Sequence, residues 1–258
     1  MNRSRELIAE IDETLTATPT LWWLGHASVV VKFLNITFYI DPRFSGADSL
    51  LDPHQIRHAD MVLATHAHPG HLDGPSVAPM LEAAKGAKII LPKSAGEYAH
   101  SLGIPYQRMT TTDSDLRVEY WKDSLYGRVY AIPSAHRSRP ESAASLDWTP
   151  LGGFPYLGYL IRFGRWTIYH AGDCAPYEGI ANRLLPYRVD VALLPIGGKN
   201  FSVSEAAQLA ADIGAKWLVP IHHSPADETA FVAHMLGQRP EQNFKVFQPG
   251  ERWTVPEA

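Results

Sequence analysis

Short apolar runs broken by turn residues dominate this chain, and helical periodicity is confined to a few stretches. Leu7, Ile8, Ile11 and Leu15 recur at the spacing of one face of a short amphipathic helix. Runs rich in β-branched and aromatic residues at Leu21–Leu24, Val29–Phe33 and Ile36–Ile40 predict strands, and Leu34-Asn35 turns a hairpin between the last two. Met61–Ala64 predicts another strand. Gly74-Pro75 then opens a helix through about Ala84, Lys88–Leu91 returns as a strand, and Ser94–Leu102 is a short helix. Strands follow at Leu116–Trp121, Arg128–Ile132, Tyr156–Phe163 and Trp166–Tyr169, the last two joined at Gly164-Arg165. In the final third, strands Val189–Leu194 and Lys216–Pro220 alternate with helices Val203–Ile213 and Ala226–Leu236. Strands Phe244–Phe247 and Trp253–Val255 close the chain. Strand hairpins in each half, interspersed with helices, predict two packed sheets with helices outside. With no internal repeat or linker, 1–258 reads as a single domain, residues 1–18 forming an N-terminal helical extension.

Composition narrows the classes. The 258 residues are 45% hydrophobic and 19% charged, ordinary values for a soluble globular protein. A formal net charge of -4 argues against a general nucleic-acid surface, which would show a basic stripe. No apolar stretch approaches the ~20 residues that span a bilayer. The opening Met1-Asn2-Arg3-Ser4-Arg5-Glu6 does not resemble a secretory signal. A single cysteine, Cys174, precludes an intramolecular disulfide and fits a reducing compartment, so a cytoplasmic location is expected. A buried small residue is the expected role of Cys174 itself.

Chemistry concentrates at Thr65-His66-Ala67-His68-Pro69-Gly70-His71-Leu72-Asp73, directly after the apolar run Met61–Ala64. His66 and His68 lie two apart, so an extended backbone aims both imidazoles to one side. Pro69-Gly70 turns the chain and can return His71 to the same point. Neutral imidazole is a common ligand for zinc and related divalent metals. Three more polar positions also follow apolar strands: His136 after Val129–Ile132, Asp173 after Trp166–Tyr169, and His222 after Trp217–Ile221. Singly, each has a plainer role as a surface residue, a turn former or a buried hydrogen-bonding histidine. With the triple-histidine loop they point to a metal centre.

These motifs, with Trp22-Trp23-Leu24-Gly25-His26-Ala27-Ser28, Tyr39-Ile40-Asp41-Pro42, Tyr169-His170-Ala171-Gly172-Asp173 and Pro220-Ile221-His222-His223, resemble the metallo-β-lactamase superfamily. Within it they resemble the ascorbate-6-phosphate-lactonase-like and phosphodiesterase-like branch. The resemblance implies an α/β fold, a four-layer αββα sandwich with its metal site at one edge of the two sheets. It implies that His66, His68 and His136 hold a first metal and that His71 and His222 hold a second, with Asp173 between the two. His223 competes with His222, and the family pattern favours the first of the pair. The ion would be zinc or manganese, one or two per chain. A divalent metal lowers the pKa of bound water from roughly 15.7 to about 7, so hydroxide could attack a carbonyl or phosphoryl centre.

One position departs from the pattern. Gly70 stands where His-x-His-x-Asp-His places an aspartate, and glycine can neither ligate nor orient water. Three readings stay open: a weakened second site, a mononuclear hydrolase, or a non-catalytic ligand-binding protein with a degraded metal site. Asp73, beside Gly74-Pro75, is expected to cap the next helix or to support a ligand histidine. Asp41 either orients a ligand or forms a turn before Pro42. His26 either assists proton transfer at the site or bonds within its loop. Arg137 and Arg139, just after His136, suit an anionic substrate or else a solvated loop. The stretch 138–155 has the length of a lid or binding loop, with Trp148 and Phe154 in it and Tyr156 just beyond. The expected partner is a small anionic molecule such as a sugar-phosphate lactone. A lipid, cyclic-nucleotide or RNA phosphodiester is the alternative.

Overall fold

Strands of the first sheet are three to five residues long, because turn-forming residues interrupt the apolar runs at that spacing. The computed structural model describes residues 3–46, 49–137, 142–150 and 152–257. The chain divides into two compact units, Met1–Thr112 with Phe247–Ala258, and Asp113–Val246.

The first unit begins with α1 (Arg3–Glu13), then β1 (Thr20–Trp23), β2 (Val29–Phe33), β3 (Ile36–Ile40) and β4 (Met61–Leu63). It continues through α2 (Gly74–Ala83), β5 (Lys88–Pro92), α3 (Gly96–Ser101) and β6 (Met109–Thr112). β1, β2 and β3 pair antiparallel, and β3 to β6 pair parallel. Parallel neighbours need crossovers, and α2 and α3 supply them between β4, β5 and β6. Val30, Tyr39, Val62, Ile89 and Leu91 share a core with Leu7 and Ile11 of α1, Val77 and Met80 of α2, and Ala99 of α3. The opposite face, with Val29, Val31, Phe38, Leu63 and Ile90, is equally buried. That two-sided burial explains why these strands read as continuous apolar runs. One expectation needs correction, and one strand went unforeseen. Leu15 lies beyond the end of α1 and is 67% exposed, so it is not part of the helix's apolar face. β6 was not anticipated, because Thr110-Thr111-Thr112 carries no apolar period.

The second unit runs through β7 (Arg117–Lys122), β8 (Leu125–Pro133), β9 (His136–Arg137), β10 (Ala144–Ser145), β11 (Leu157–Phe163) and β12 (Trp166–His170). It continues with α4 (Ile180–Leu184), β13 (Val191–Pro195), α5 (Val203–Asp212), β14 (Trp217–Ile221), α6 (Pro225–Gln238) and β15 (Asn243–Phe244). Its seven-stranded sheet has the order β15-β14-β13-β12-β11-β8-β7, and β9 pairs with β10 apart from it. Leu160, Tyr169, Ala192, Leu194 and Leu218 form its core with Ala206, Leu209 and Ala210 of α5 and Phe231 and Met235 of α6. Both long helices start at capping boxes, Ser202 with Glu205 and Ser224 with Asp227. α4 spans only five residues, too few for a helical period to register, and it was not anticipated. Finally β16 (Arg252–Thr254) returns to the first unit and pairs antiparallel with β1. Among the described residues no helix is long and apolar enough to cross a membrane.

Strand direction decides where chemistry can gather. Since β2 opposes both β1 and β3, and β4 runs with β3, the C-terminal ends of β1, β3 and β4 share one edge of the first sheet. Similarly β11 opposes both β8 and β12, while β13 and β14 run with β12. The C-terminal ends of β8, β12 and β14 therefore share one edge of the second sheet. In α/β sheets such edges are where ligands bind.

Gly158 on β11 fixes the end of β12. A Cβ there would meet the His170 carbonyl oxygen at 2.9 Å and the Ala171 Cα at 3.1 Å, both backbone atoms. Gly158→Ala should therefore displace the turn that carries Asp173 and cost roughly 1–3 kcal/mol in urea unfolding.

Candidate metal centre

The first unit gathers four imidazoles and one carboxylate at its strand edge. Asp41 follows β3, is fully buried, and has a left-handed backbone at φ +45°. Its Oδ1 accepts from the Thr65 amide at 2.7 Å, and its Oδ2 accepts from the Thr65 hydroxyl at 2.7 Å. The same Oδ2 lies 2.7 Å from His71 Nδ1. A buried carboxylate is tolerable only with such partners. Because Asp41 is an acceptor, His71 carries its proton on Nδ1 and presents the Nε2 lone pair. The Thr65 hydroxyl, already donating to Asp41, lies 3.0 Å from His66 Nδ1, so His66 also holds a proton there and presents Nε2.

His66 Nε2 lies 2.9 Å from His68 Nδ1. Two nitrogens bound tetrahedrally to zinc at 2.0–2.1 Å stand about 3.3 Å apart, so this pair is close to the spacing that a shared ion requires. The rings of His66 and His71 are 4.0 Å apart. His68 is exposed, whereas His66 and His71 are buried. Neutral nitrogen donors, fixed tautomers and a carboxylate behind one of them fit a divalent metal.

His26 follows β1 in the turn Gly25-His26-Ala27, with φ +52°. Trp23 Nε1 donates to its carbonyl at 2.8 Å and holds the turn. The His26 and His71 rings are 5.2 Å apart, and a ligand nitrogen of each lies within 4.8 Å of the other. His26 also lines a cavity of about 830 Å³ together with Arg3, Leu24, Arg43 and Gln248. Arg43 and Arg3 carry exposed guanidinium groups at this wall. Sequence reasoning passed over Arg43, although its position just after Asp41-Pro42 was the available signal.

Within the second unit, His222 Nε2 lies 3.2 Å from Asp173 Oδ1. The adjacent His223 turns the other way, its Nδ1 3.9 Å from Glu228 of α6 and 3.3 Å from the Ser224 carbonyl. A left-handed backbone at His222, φ +54°, separates the two directions. His136 stacks face to face on Tyr156 with ring centroids 3.7 Å apart. Burial, followed by the charges of Asp147 and Asp173, pushes the Tyr156 phenol above its ordinary range and keeps it protonated. Cys174 is completely buried, and burial pushes its thiol up to about 12, which favours the expected packing role over thiolate ligation.

Two expectations shift. Arg137 donates to Glu205 at 2.7 Å and to the Asn200 carbonyl at 3.0 Å, so its guanidinium ties β9 to α5. Burial, the largest single effect, pushes the Glu205 carboxyl up, but the Arg137 guanidinium and Ser202 together outweigh it and hold the group below its ordinary range. Asp73 occupies the N-cap position of α2 without a side-chain cap bond. It accepts instead from the Ser76 hydroxyl, which itself accepts from the Phe44 amide. Arg139 lies outside the described residues. Of the loop aromatics, Trp148 is 65% exposed and meets Phe154 edge-on at 5.0 Å, while Tyr156 backs His136.

Two seven-stranded mixed sheets with histidines and aspartates at their strand ends define a mixed α/β fold whose strand edges carry candidate metal ligands. A family model described as a beta-lactamase superfamily domain matches residues 37–223, and the chain belongs to that superfamily as a metal-dependent hydrolase. A UPF0173 metal-dependent hydrolase of Myxococcus xanthus is 30% identical over 210 residues, 80% of this chain and 70% of that protein. Igni18, a metallo hydrolase from Ignicoccus hospitalis, superposes with a TM-score of 0.70 at 20% identity, covering 93% of this chain and all of that one. CmlA, a diiron beta-hydroxylase from Streptomyces venezuelae, gives 0.69 at 14% identity over 94% of this chain and 55% of its own. At such identities these two structures speak for the fold alone.

The Asp41–His71 contact makes a direct prediction. In Asp41→Asn an amide NH₂ must replace one acceptor oxygen that now faces donors, so His71 loses its fixed tautomer. Metal affinity should fall roughly 10–100-fold with secondary structure retained, as measured by chelator competition and circular dichroism.

Proposed function

We propose that this metal-dependent hydrolase acts on a small anionic substrate bound in the cavity beside His26, with a sugar-phosphate lactone as the representative case. The carrying observation is a cavity walled by His26, Arg3 and Arg43, with the His26 ring 5.2 Å from the buried His71 imidazole whose tautomer Asp41 fixes. In this reading His66, His68 and His136 hold one divalent ion, zinc or manganese. His71 and His222 hold another, and Asp173 serves both. When bound, the metal supplies an acidic water for attack and Lewis-acid polarisation of the electrophile.

The chain's own residues do the rest. Asp41 fixes the His71 ring through Nδ1, so the ligand nitrogen does not wander during turnover. Arg43 and Arg3 provide planar, permanently charged donors suited to a carboxylate or phosphate on the substrate. Tyr156 holds the plane of His136 by stacking. A cytoplasmic location belongs to the same reading, supported by a lone buried cysteine.

Elemental analysis of the purified protein, together with a panel of lactones and phosphodiesters assayed with added zinc or manganese, tests the proposal. Turnover of lactones supports the representative case, and turnover of phosphodiesters alone shifts the substrate class. Absence of both metal and turnover overturns the reading. His66→Ala should abolish bound metal from its site and all turnover, checked by elemental analysis beside the assay. Arg43→Ala should raise KM for anionic substrates by roughly tenfold or more and leave kcat nearly unchanged, the pattern of a lost charge-assisted contact.

A further inference from the structure

We infer that His26 is a metal ligand, an imidazole standing in for the carboxylate that Gly70 lacks. The inference rests on the metal-centre reading above and adds a ligand to it. Gly70 has no side chain, and its space is not empty. A Cβ built there would meet His26 Cε1 at 3.0 Å, Nε2 at 3.6 Å and Nδ1 at 3.8 Å. The His26 ring therefore lies edge-on over the face of the turn from which a residue-70 side chain would emerge. Both residues flank His71, whose ligand nitrogen lies within 4.8 Å of one on His26.

Backbone geometry argues the same way. Gly25 has φ +96° and His26 φ +52°, so the β1–β2 turn is left-handed at two successive positions. Histidine is not the residue that relaxes such a conformation; glycine or asparagine is. The turn is nevertheless clamped in place. Trp23 Nε1 donates to the His26 carbonyl at 2.8 Å, and the Ser28 amide donates to the Gly25 carbonyl at 2.9 Å. Strain held in place by surrounding bonds, at a half-buried imidazole beside other imidazoles, marks a position kept for what the ring does.

The exchange has an electrostatic consequence. A neutral imidazole in place of a carboxylate leaves one more unit of positive charge at the ion. Arg3 and Arg43 line the same cavity, so the wall as a whole favours an anion more strongly than an aspartate-bearing version would. Ion affinity is the cost and substrate attraction is the gain.

A ligand exchange tests this without relying on turnover. Metal-stripped wild type, His26→Asn, Gly70→Asp and the double variant are titrated with zinc by calorimetry and with cobalt by visible spectroscopy. Asparagine is chosen because it tolerates the left-handed backbone, and thermal melting confirms folding. Wild type should bind two ions. His26→Asn should keep the tighter ion and lose at least tenfold in affinity for the other, with a change in the cobalt bands. Gly70→Asp alone should gain little, because its Cβ crowds the His26 ring. The double variant should regain the second ion, its carboxylate occupying the vacated room. Two ions of unchanged affinity in His26→Asn would overturn the assignment, as would a single ion in wild type. Wild type that binds no ion at all would overturn instead the metal reading on which the assignment rests. Should His26→Asn fail to fold, His26→Gly, which suits the φ of +52°, takes its place, with the same loss of second-ion affinity expected and unchanged affinity overturning the assignment.

Discussion

The buried carboxylate of Asp41 is the constraint on which the first unit's chemistry depends. One side chain satisfies the amide and hydroxyl of Thr65 and the Nδ1 of His71, and through Thr65 it reaches Nδ1 of His66. Two imidazoles thus inherit their tautomers from one acceptor. Parallel pairing of β3 with β4 makes this possible, since Asp41 and Thr65 leave adjacent strands at the same edge. The Asp41 amide also donates to the Leu63 carbonyl, extending the ladder by one bond just where the chemistry begins. A charge this deep is costly unless fully bonded. Its bonding partners are the groups that fix the His66 and His71 rings, so satisfying the charge and orienting those rings are one arrangement.

Much of this was legible beforehand, and the particular residues show why. Local spacing carries the His66-x-His68 pair, because strand geometry alone sends alternate side chains to one side. The strands from Val29 to Ile40 match their predicted bounds, since each is a β-branched and aromatic run, broken only by Lys32 or Thr37, that ends at a turn residue. Where spacing is silent, the reading fell short. β6 and α4 lack any period, and Leu15 continues a period that the helix itself does not. Thr65 was overlooked because its role exists only once Asp41, 24 residues away, is folded against it. The nearness of His26 to Gly70 crosses 44 residues and has no trace in the order of the chain.

The arginines show how composition misleads at a site. Arg137 follows a candidate ligand and looked suited to a substrate, yet its guanidinium is engaged by Glu205 and a carbonyl. Arg43 carried no such prominence, and it lines the cavity. What separates them is the availability of a local acid. Glu205 is already positioned by its capping box with Ser202, so Arg137 finds a pre-oriented carboxylate and is consumed by it. Similarity of fold would not have distinguished the two either, because the same architecture serves a metallo hydrolase and a diiron hydroxylase.

Backbone strain follows the same division between scaffold and site. Among the described residues, seven non-glycine positions have positive φ, and His26, Asp41 and His222 are three of them. All three stand just beyond the C-terminal end of a strand, where the chain must turn sharply and still present an imidazole or a carboxylate. Glycine would relieve strain of order 1–3 kcal/mol at each, but it would remove the imidazole or carboxylate. The surrounding ladders over-determine each turn: Trp23 clamps His26, Leu63 holds Asp41, and β14 delivers His222 from within a buried parallel sheet. The opposite choice was made at Gly70, whose missing side chain leaves room for a ring from another strand. Side chain and strain were retained at one position, and side chain was given up at its neighbour in space. The pair is therefore better understood as one coupled feature than as a functional residue beside a defect.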